Sequence, residues 1–293
     1  MTDCFPVAII GVGNMGGAMA LNLLARGWEV HVNDIVPERH DALATSGARV
    51  HATAAGAAAH AMTTIIAVVT AEQAHDVLFG AGAVASTARL GHTVLLCPTM
   101  APKAVQDIAE RMHPLGVFCV DAPMSGGPVR ARDGSMSLMV ACPEAVFVRQ
   151  APLLQALSTK VFRISERAGD GARTKLVNNL AAAINLAGAA EVLAMAQRMG
   201  LDGAKTLDVI EQSSGQSWIG SDRMRRALSN DYAPRAHMTL LEKDTRLAVQ
   251  AAIDAGFTGL LGSTVRDAFA SASASGLADM DDSALLQWMQ QRN

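Results

Sequence analysis

A glycine-rich turn directly follows an apolar run near the start of this chain. The run Val7–Ile10 leads into Gly11-Val12-Gly13-Asn14-Met15-Gly16, which has the spacing Gly-x-Gly-x-x-Gly. The first glycine permits a tight turn, the second lets the backbone approach a pyrophosphate, and the third lets a helix pack closely on a strand. Asp34 follows eighteen residues after the last glycine, where a carboxylate can accept a hydrogen bond from a ribose 2′-OH. The pattern predicts a strand–turn–helix unit that binds a dinucleotide.

Short apolar runs alternate with helix-like segments through the first half of the chain. Strands are predicted at Val7–Ile10, Glu29–Asn33, Thr64–Val69, Thr93–Leu96, Val117–Asp121 and Ser137–Ala141. Continuous runs of Val, Ile and Leu that are separated by helices are typical of a parallel sheet covered on both faces. We therefore expect a doubly wound, Rossmann-type α/β domain, with the cofactor beyond the carboxyl ends of the strands.

Strand signals end at about residue 165, and helical periodicity replaces them. Gly171–Met199 has no proline and many alanines, which predicts one helix of nearly thirty residues. Further helices are predicted at Leu201–Gln212, Ser221–Leu228, Leu240–Ala255, Gly262–Ser273 and Ser283–Gln291. We expect a dinucleotide-binding domain over residues 1–165 and an all-helical substrate and oligomerisation domain over residues 166–293, joined by the long interdomain helix.

Composition excludes several classes of function. Half of the residues are hydrophobic, 17% are charged and the net charge is −3, so the chain folds as a globule and presents no basic surface for nucleic acid or for a membrane. The four cysteines lie far apart, which predicts buried reduced thiols and no metal site. The chain shows no basic signal-peptide region, and no uninterrupted apolar run approaches the roughly 18–20 residues of a membrane span. We expect a soluble, cytoplasmic protein.

Three further segments carry candidate functional residues. Residues 121–128 read Asp-Ala-Pro-Met-Ser-Gly-Gly-Pro after a predicted strand, and such a loop can form a nest of N–H groups for a carboxylate; the alternative is an ordinary turn. The second segment, residues 169–179, lies near the start of the long predicted helix. Its Lys175 and Asn179 share one helical face. A lysine that points from an apolar helix into a cleft has a lowered pKa and suits proton transfer; the alternative is a surface lysine. The third segment is Glu242-Lys243-Asp244, preceded by Trp218; the alternatives are a solvated charged face and a core tryptophan.

In this order, the four motifs resemble the β-hydroxyacid dehydrogenase family, and the resemblance spans essentially the whole chain. It implies a cofactor site for NAD, with NADP possible, formed by Gly11, Gly13, Asn14, Met15, Gly16, Asp34, Thr99, Lys243 and Asp244. It implies a catalytic role for Lys175. It also implies substrate binding by Ser125, Gly126, Gly127, Asn179 and Trp218, with the first three holding the substrate carboxylate.

The reaction that this resemblance implies is the NAD-dependent oxidation of the hydroxyl of a small 3-hydroxy acid, similar to 3-hydroxyisobutyrate or to L-threonate. Lys175 would act as general acid and base while the cofactor carries the hydride. The alternatives are a reductase of tartronate semialdehyde or a related aldehyde acid, an imine reductase, in which another residue usually replaces the lysine, and a non-catalytic nucleotide-binding relative. The resemblance further implies a homodimer or homotetramer, and we expect no nucleic-acid or membrane partner.

Overall fold

The computed structural model describes residues 4–292. The chain forms two compact units, which divide at the peptide bond between Lys175 and Leu176. The first unit contains the strands and the second is helical, as the doubly wound and all-helical prediction requires.

The strands of the first unit form one nine-stranded sheet. They are β1 (Val7–Ile10), β2 (Val30–Asn33), β3 (Arg49–Val50), β4 (Thr63–Ile66), β5 (Thr93–Leu96), β6 (Phe118–Asp121), β7 (Met124–Ser125), β8 (Ser137–Ala141) and β9 (Lys160–Ser165). Their order is β3-β2-β1-β4-β5-β6-β8-β7, with β9 paired to β8. Neighbours from β3 to β6 are parallel, which confirms the predicted doubly wound class.

One edge of the sheet differs from the all-parallel expectation. Strand β8 runs antiparallel to both β6 and β7, and β9 is parallel to β8. The sequence predicts neither β3, β7 nor β9. Strands β3 and β7 have two residues each, and β9 mixes the charged Lys160 and Arg163 with apolar residues, so none of them shows a continuous apolar run.

Helices cover both faces of this sheet. They are α1 (Asn14–Ala25), α2 (Asp41–Thr45), α3 (Ala54–Ala58), α4 (Ala71–Phe79), α5 (Pro102–Met112), α6 (Gly127–Asp133), α7 (Glu144–Leu157) and the first turns of α8 (Asp170–Arg198). Ile9 and Ile10 are adjacent and almost fully buried. Because successive side chains of a strand point to opposite faces, Ile9 packs in one hydrophobic cluster and Ile10 in the other. The sequence does not predict α6 or α7; Pro152 lies inside α7, where proline normally ends a helix.

The second unit contains the rest of α8 together with α9 (Gly203–Glu211), α10 (Trp218–Leu228), α11 (Met238–Asp254), α12 (Leu260–Ala272) and α13 (Leu285–Gln291). These helices confirm the five predicted ones, and α8 begins and ends within one residue of its prediction. Their core includes the fully buried Phe269 and Met224.

Length and composition alone would allow α8, of the helices in the described part of the chain, to cross a membrane. This was not expected, because its apolar residues are interrupted by polar ones. Of its most apolar window, 44% is buried inside the protein. A core helix passes the same test, so this is weak evidence for a membrane span.

Candidate active site

The glycine-rich turn is built so that only glycine fits at two of its positions. Gly11 has a φ of +86°, and a Cβ atom there would lie 3.0 Å from the carbonyl carbon of Ala67. A Cβ atom on Gly16 would lie 1.9 Å from the carbonyl oxygen of Gly11. The start of α1 therefore packs directly on the turn. Gly13 precedes α1, and no side chain caps the helix. The N–H groups of its first turn thus remain available for the phosphates of a dinucleotide.

Asp34 follows β2 and contacts this turn. Its Oδ2 accepts a hydrogen bond of 2.7 Å from the N–H of Val12, and its Oδ1 accepts one of 2.9 Å from the N–H of Val36. The guanidinium of Arg39 lies 3.2 Å from Oδ1. The structure thus brings the predicted turn and the predicted ribose-binding carboxylate together, and these residues fit the adenosine and phosphate portions of a dinucleotide.

Three other predicted cofactor residues of the first unit lie at the same edge of the sheet. Asn14 and Met15 open α1, and Thr99 follows β5, where it is half-buried. Parallel strands end at a common edge, so Thr99 lies on the side where the glycine-rich turn follows β1. Its contact with a cofactor stays a prediction.

The loop at residues 121–128 places two successive glycines in the left-handed region. Gly126 has a φ of +129° and Gly127 a φ of +74°. Nothing lies within 4 Å of the position of a Cβ atom on Gly127, so the backbone can be approached there. Ser125 ends β7 and pairs with Ser137 of β8. The sheet therefore fixes one end of this loop and leaves open space beside the other, as a small anionic ligand would require.

Lys175 lies in the second turn of α8, where 7% of the residue is exposed. The structure therefore contradicts the alternative of an exposed surface lysine. Its helix is anchored by Asp121, the last residue of β6, whose Oδ2 accepts hydrogen bonds of 2.9 and 3.0 Å from the N–H groups of Gly169 and Ala172. A Cβ atom on Gly171 would lie 2.8 Å from Cγ of Asp121, so this close approach needs glycine.

The sequence does not single out Asp121, although it is the first residue of the 121–128 motif. Burial raises the pKa of its carboxyl to about 6, against the opposing effect of the N–H groups that it accepts from. Its position could have been recognised from the sequence, because a carboxylate that ends a buried strand needs a donor. Which segment supplies the donors is a tertiary relationship.

In the second unit, three predicted residues form one polar cluster. The side-chain amide of Asn179 donates a hydrogen bond of 2.5 Å to Oδ2 of Asp244. The Nζ of Lys243 lies 3.1 Å from Oδ1 of the same carboxylate. The amide of Asn178 donates to Oδ1 of Asn179 at 3.1 Å. Asp244 thus fixes the orientation of the Asn179 amide, a role that its assignment to the cofactor did not include.

Trp218 is the first residue of α10, and half of it is exposed. This contradicts the alternative of a core tryptophan. The guanidinium of Arg223, on the same helix, lies 6.0 Å from its ring and is paired with Asp282 at 2.7 Å. The other two arginines of α10 are paired as well: Arg225 with Asp208 and Glu211, and Arg226 with Asp281. All three arginines of α10 therefore have acidic partners within the second unit.

The structure places the cysteines partly as predicted. Burial raises the pKa of the Cys97 thiol to about 12 and that of Cys142 to about 11. Cys4 is exposed, which corrects the prediction that all four thiols are buried, because it precedes β1. Within residues 4–292, no group of three or more His, Cys, Asp or Glu side chains could hold a metal ion.

Comparisons with known proteins cover both units. Residues 6–165 match the family model described as the NAD-binding domain of 6-phosphogluconate dehydrogenase. Residues 169–289 match the family model described as "NAD-binding of NADP-dependent 3-hydroxyisobutyrate dehydrogenase". The chain is 33% identical to an L-threonate dehydrogenase of Haemophilus influenzae, over 97% of this chain and 94% of that protein.

Two further relatives agree. A 3-hydroxyisobutyrate dehydrogenase of Pseudomonas aeruginosa is 34% identical, over 92% of this chain and 91% of its own length. A crystal structure described as 3-hydroxyisobutyrate dehydrogenase from Salmonella typhimurium superimposes with a TM-score of 0.91 at 34% identity, and covers 97% of this chain and 99% of that one. The glycine-rich turn, the fold and these matches agree: the chain belongs to the β-hydroxyacid dehydrogenase family of NAD(P)-dependent oxidoreductases.

Proposed function

We propose that this protein oxidises the hydroxyl group of a small 3-hydroxy acid, of the L-threonate or 3-hydroxyisobutyrate type, with NAD⁺ as the oxidant. The observation that carries this proposal is the buried Lys175. Its helix begins on the carboxylate of Asp121, which is also the first residue of the glycine-containing loop. The relatives named for L-threonate and 3-hydroxyisobutyrate support the substrate class.

The proposed chemistry divides between the cofactor and the chain. The nicotinamide, when bound, accepts the hydride. The N–H groups of Gly126 and Gly127 and the hydroxyl of Ser125 bind the substrate carboxylate. Nζ of Lys175 takes the hydroxyl proton during oxidation and returns a proton to the carbonyl oxygen during reduction. The lysine must be neutral at the start of oxidation and charged at the start of reduction.

The residues of the second unit orient the reactants in this proposal. Asn179 lies one helical turn after Lys175 and binds a substrate oxygen, with its amide held by Asp244. Trp218 contacts the substrate through its exposed ring. Lys243 binds the cofactor and is held by the same carboxylate. These roles rest on the match to the family motifs and on the contacts within this unit.

We also propose that the protein is a cytoplasmic homodimer or homotetramer. Val192 and Met195 lie on α8, and Met199 follows directly after its end; the three residues have helical spacing and are 40%, 55% and 67% exposed. Exposed apolar side chains on one helical face are typical of a surface that another protein copy covers. Light scattering of wild type and of Met195→Lys tests this proposal, which predicts that the substitution lowers the measured mass.

The substrate proposal is tested by NADH formation across a panel of hydroxy acids. The panel contains L-threonate, 3-hydroxyisobutyrate, D-glycerate, L-serine and 3-hydroxypropionate, each with NAD⁺ and with NADP⁺. We expect one of the 3-hydroxy acids to give a kcat/KM at least about tenfold above the others. Turnover of tartronate semialdehyde with NADH, without oxidation of any panel member, would instead assign the reductase direction.

A further inference from the structure

The carboxylate of Asp34 is more heavily engaged than a ribose-binding carboxylate needs to be. The N–H groups of Val12 and Val36 each bond one oxygen, at 2.7 and 2.9 Å. Nη1 of Arg39 lies 3.2 Å from Oδ1 and 3.3 Å from Oδ2. The backbone therefore fixes the carboxylate in place, and the guanidinium occupies lone pairs that the backbone leaves unused.

Arg39 covers this carboxylate from the solvent side. The Asp34 side chain is 3% exposed, whereas that of Arg39 is 48% exposed. The guanidinium also borders the phosphate-binding turn, since Nη1 lies 3.7 Å from the position of a Cβ atom on Gly13. Arg39 lines a cavity of about 690 Å³ together with Val12, Gly13, Asn14 and a second arginine, Arg132. Arg39 is thus the exposed member of the ion pair, whereas two backbone N–H groups hold the buried Asp34.

This arrangement has different consequences for the two nicotinamide cofactors. A carboxylate accepts a hydrogen bond from the 2′-OH of NAD and repels the 2′-phosphate of NADP. Arg39 neutralises that repulsion, and a guanidinium can bind phosphate oxygens through two parallel N–H groups. An exposed arginine can turn toward a phosphate, whereas the anchored carboxylate cannot turn away.

We propose that Arg39 selects the cofactor: it screens Asp34 and binds the 2′-phosphate of NADP, so that the protein accepts NADP as well as NAD. The inference rests on the proposed nucleotide site and not on the identity of the hydroxy acid or on Lys175. Asp34 alone would favour NAD. The pair as a whole carries no net charge and admits both.

The test measures the dissociation constants of NADH and NADPH from the change in nucleotide fluorescence, with no hydroxy acid present. For wild type we expect dissociation constants that differ by less than about tenfold. Arg39→Gln should weaken NADPH binding by about 10–100-fold, the range for loss of a hydrogen bond to a charged group, and change NADH binding by less than about threefold. Arg39→Lys should restore part of the NADPH affinity, because it keeps the charge without the two parallel donors.

The matched control is Arg49→Gln. Arg49 is also an exposed arginine of the first unit that pairs with a carboxylate, that of Glu29 at 2.7 Å, and it does not line the cavity. This variant should leave the ratio of the two dissociation constants as in wild type. An unchanged ratio in Arg39→Gln, or a wild type that binds NADPH more than about 100-fold more weakly than NADH, would overturn the inference. If the dehydrogenase proposal failed, no hydroxy acid would be turned over, but the dissociation constants of NADH and NADPH would still test the role of Arg39.

Discussion

Asn179 donates its side-chain amide to the carboxylate of Asp244 over 2.5 Å, and both side chains are buried. The pair joins helices α8 and α11, and Lys243 adds an ion pair to the same carboxylate. An amide held in this way presents its remaining donor and its oxygen in one fixed direction. A fixed amide favours catalysis when a substrate must be held in one orientation.

Asp244→Asn removes the charge that holds both Asn179 and Lys243. We expect kcat/KM for the hydroxy acid to fall by about 10–100-fold, because a buried donor and a partly buried cation each lose a charged partner. Steady-state kinetics measure this loss. Asp254→Asn is the control: Asp254 is on the same helix, is exposed and accepts from Gln250 at 2.8 Å. Equal kinetics of the two variants would remove Asp244 from the site.

Ser125→Ala removes a donor to the substrate carboxylate, which is present in the ground state and in the transition state alike. KM should therefore rise by about 10-fold while kcat changes little. Ser137→Ala removes a hydroxyl from the residue paired with Ser125 across the strands and should leave both constants as they are. A lower kcat with an unchanged KM would assign Ser125 to the chemical step instead.

Gly16→Ala forces a methyl group against the carbonyl oxygen of Gly11, at 1.9 Å if nothing moves. The free energy of unfolding should fall by at least about 2 kcal/mol, and NADH binding should be lost. The control is Gly188→Ala, inside α8, where nothing lies within 4 Å of the new Cβ. It should raise the free energy of unfolding by up to about 1 kcal/mol. Urea titrations compare the two variants, and a harmless Gly16→Ala would contradict the packing of α1 on the turn.

Asp121 predicts a pH dependence of stability. Burial raises the pKa of its carboxyl to about 6 in the folded protein, from an ordinary 3.8. The stabilisation by the protonated Asp121 carboxyl is therefore fully present below about pH 4 and is lost as the pH rises through about 6. Over this range the free energy of unfolding of the wild type falls by about 3 kcal/mol on account of Asp121. The free energy of unfolding of Asp121→Asn relative to wild type should rise by about this amount from pH 4 to pH 7. Parallel urea-derived pH curves for the two proteins would contradict the raised pKa.

The fold could be predicted where local sequence determines the structure. β1, β5 and β8 begin and end at the predicted residues, because each is a buried apolar run. Strand β9 and the antiparallel pairing of β8 with β6 could not be predicted, since they depend on which strand the chain reaches next. Helix α7 could not be predicted because it contains Pro152. Its tertiary packing outweighs the local preference of proline against a helix interior.

The sequence could identify the candidate site residues, but it could not identify their hydrogen-bond and ion-pair partners. The motif spacing indicated Asp34, Lys175 and Asn179. The ion pair of Arg39 with Asp34 is local, but no motif includes Arg39. The bonds of Asp121 to the start of α8 and the bond of Asn179 to Asp244 join distant residues that no motif connects. Such contacts form only when the fold brings separate segments together.

In the proposed reaction, Lys175 transfers the proton of the hydroxyl that is oxidised. We would measure the initial rate of NADH formation from the best hydroxy acid with wild type and with Lys175→Ala, after confirming by NADH fluorescence that the variant still binds the cofactor. We expect kcat to fall by about 10²–10⁴-fold while the NADH dissociation constant stays within about threefold of wild type. A Lys175→Ala variant that binds NADH and keeps the wild-type kcat would show that Lys175 does not transfer this proton.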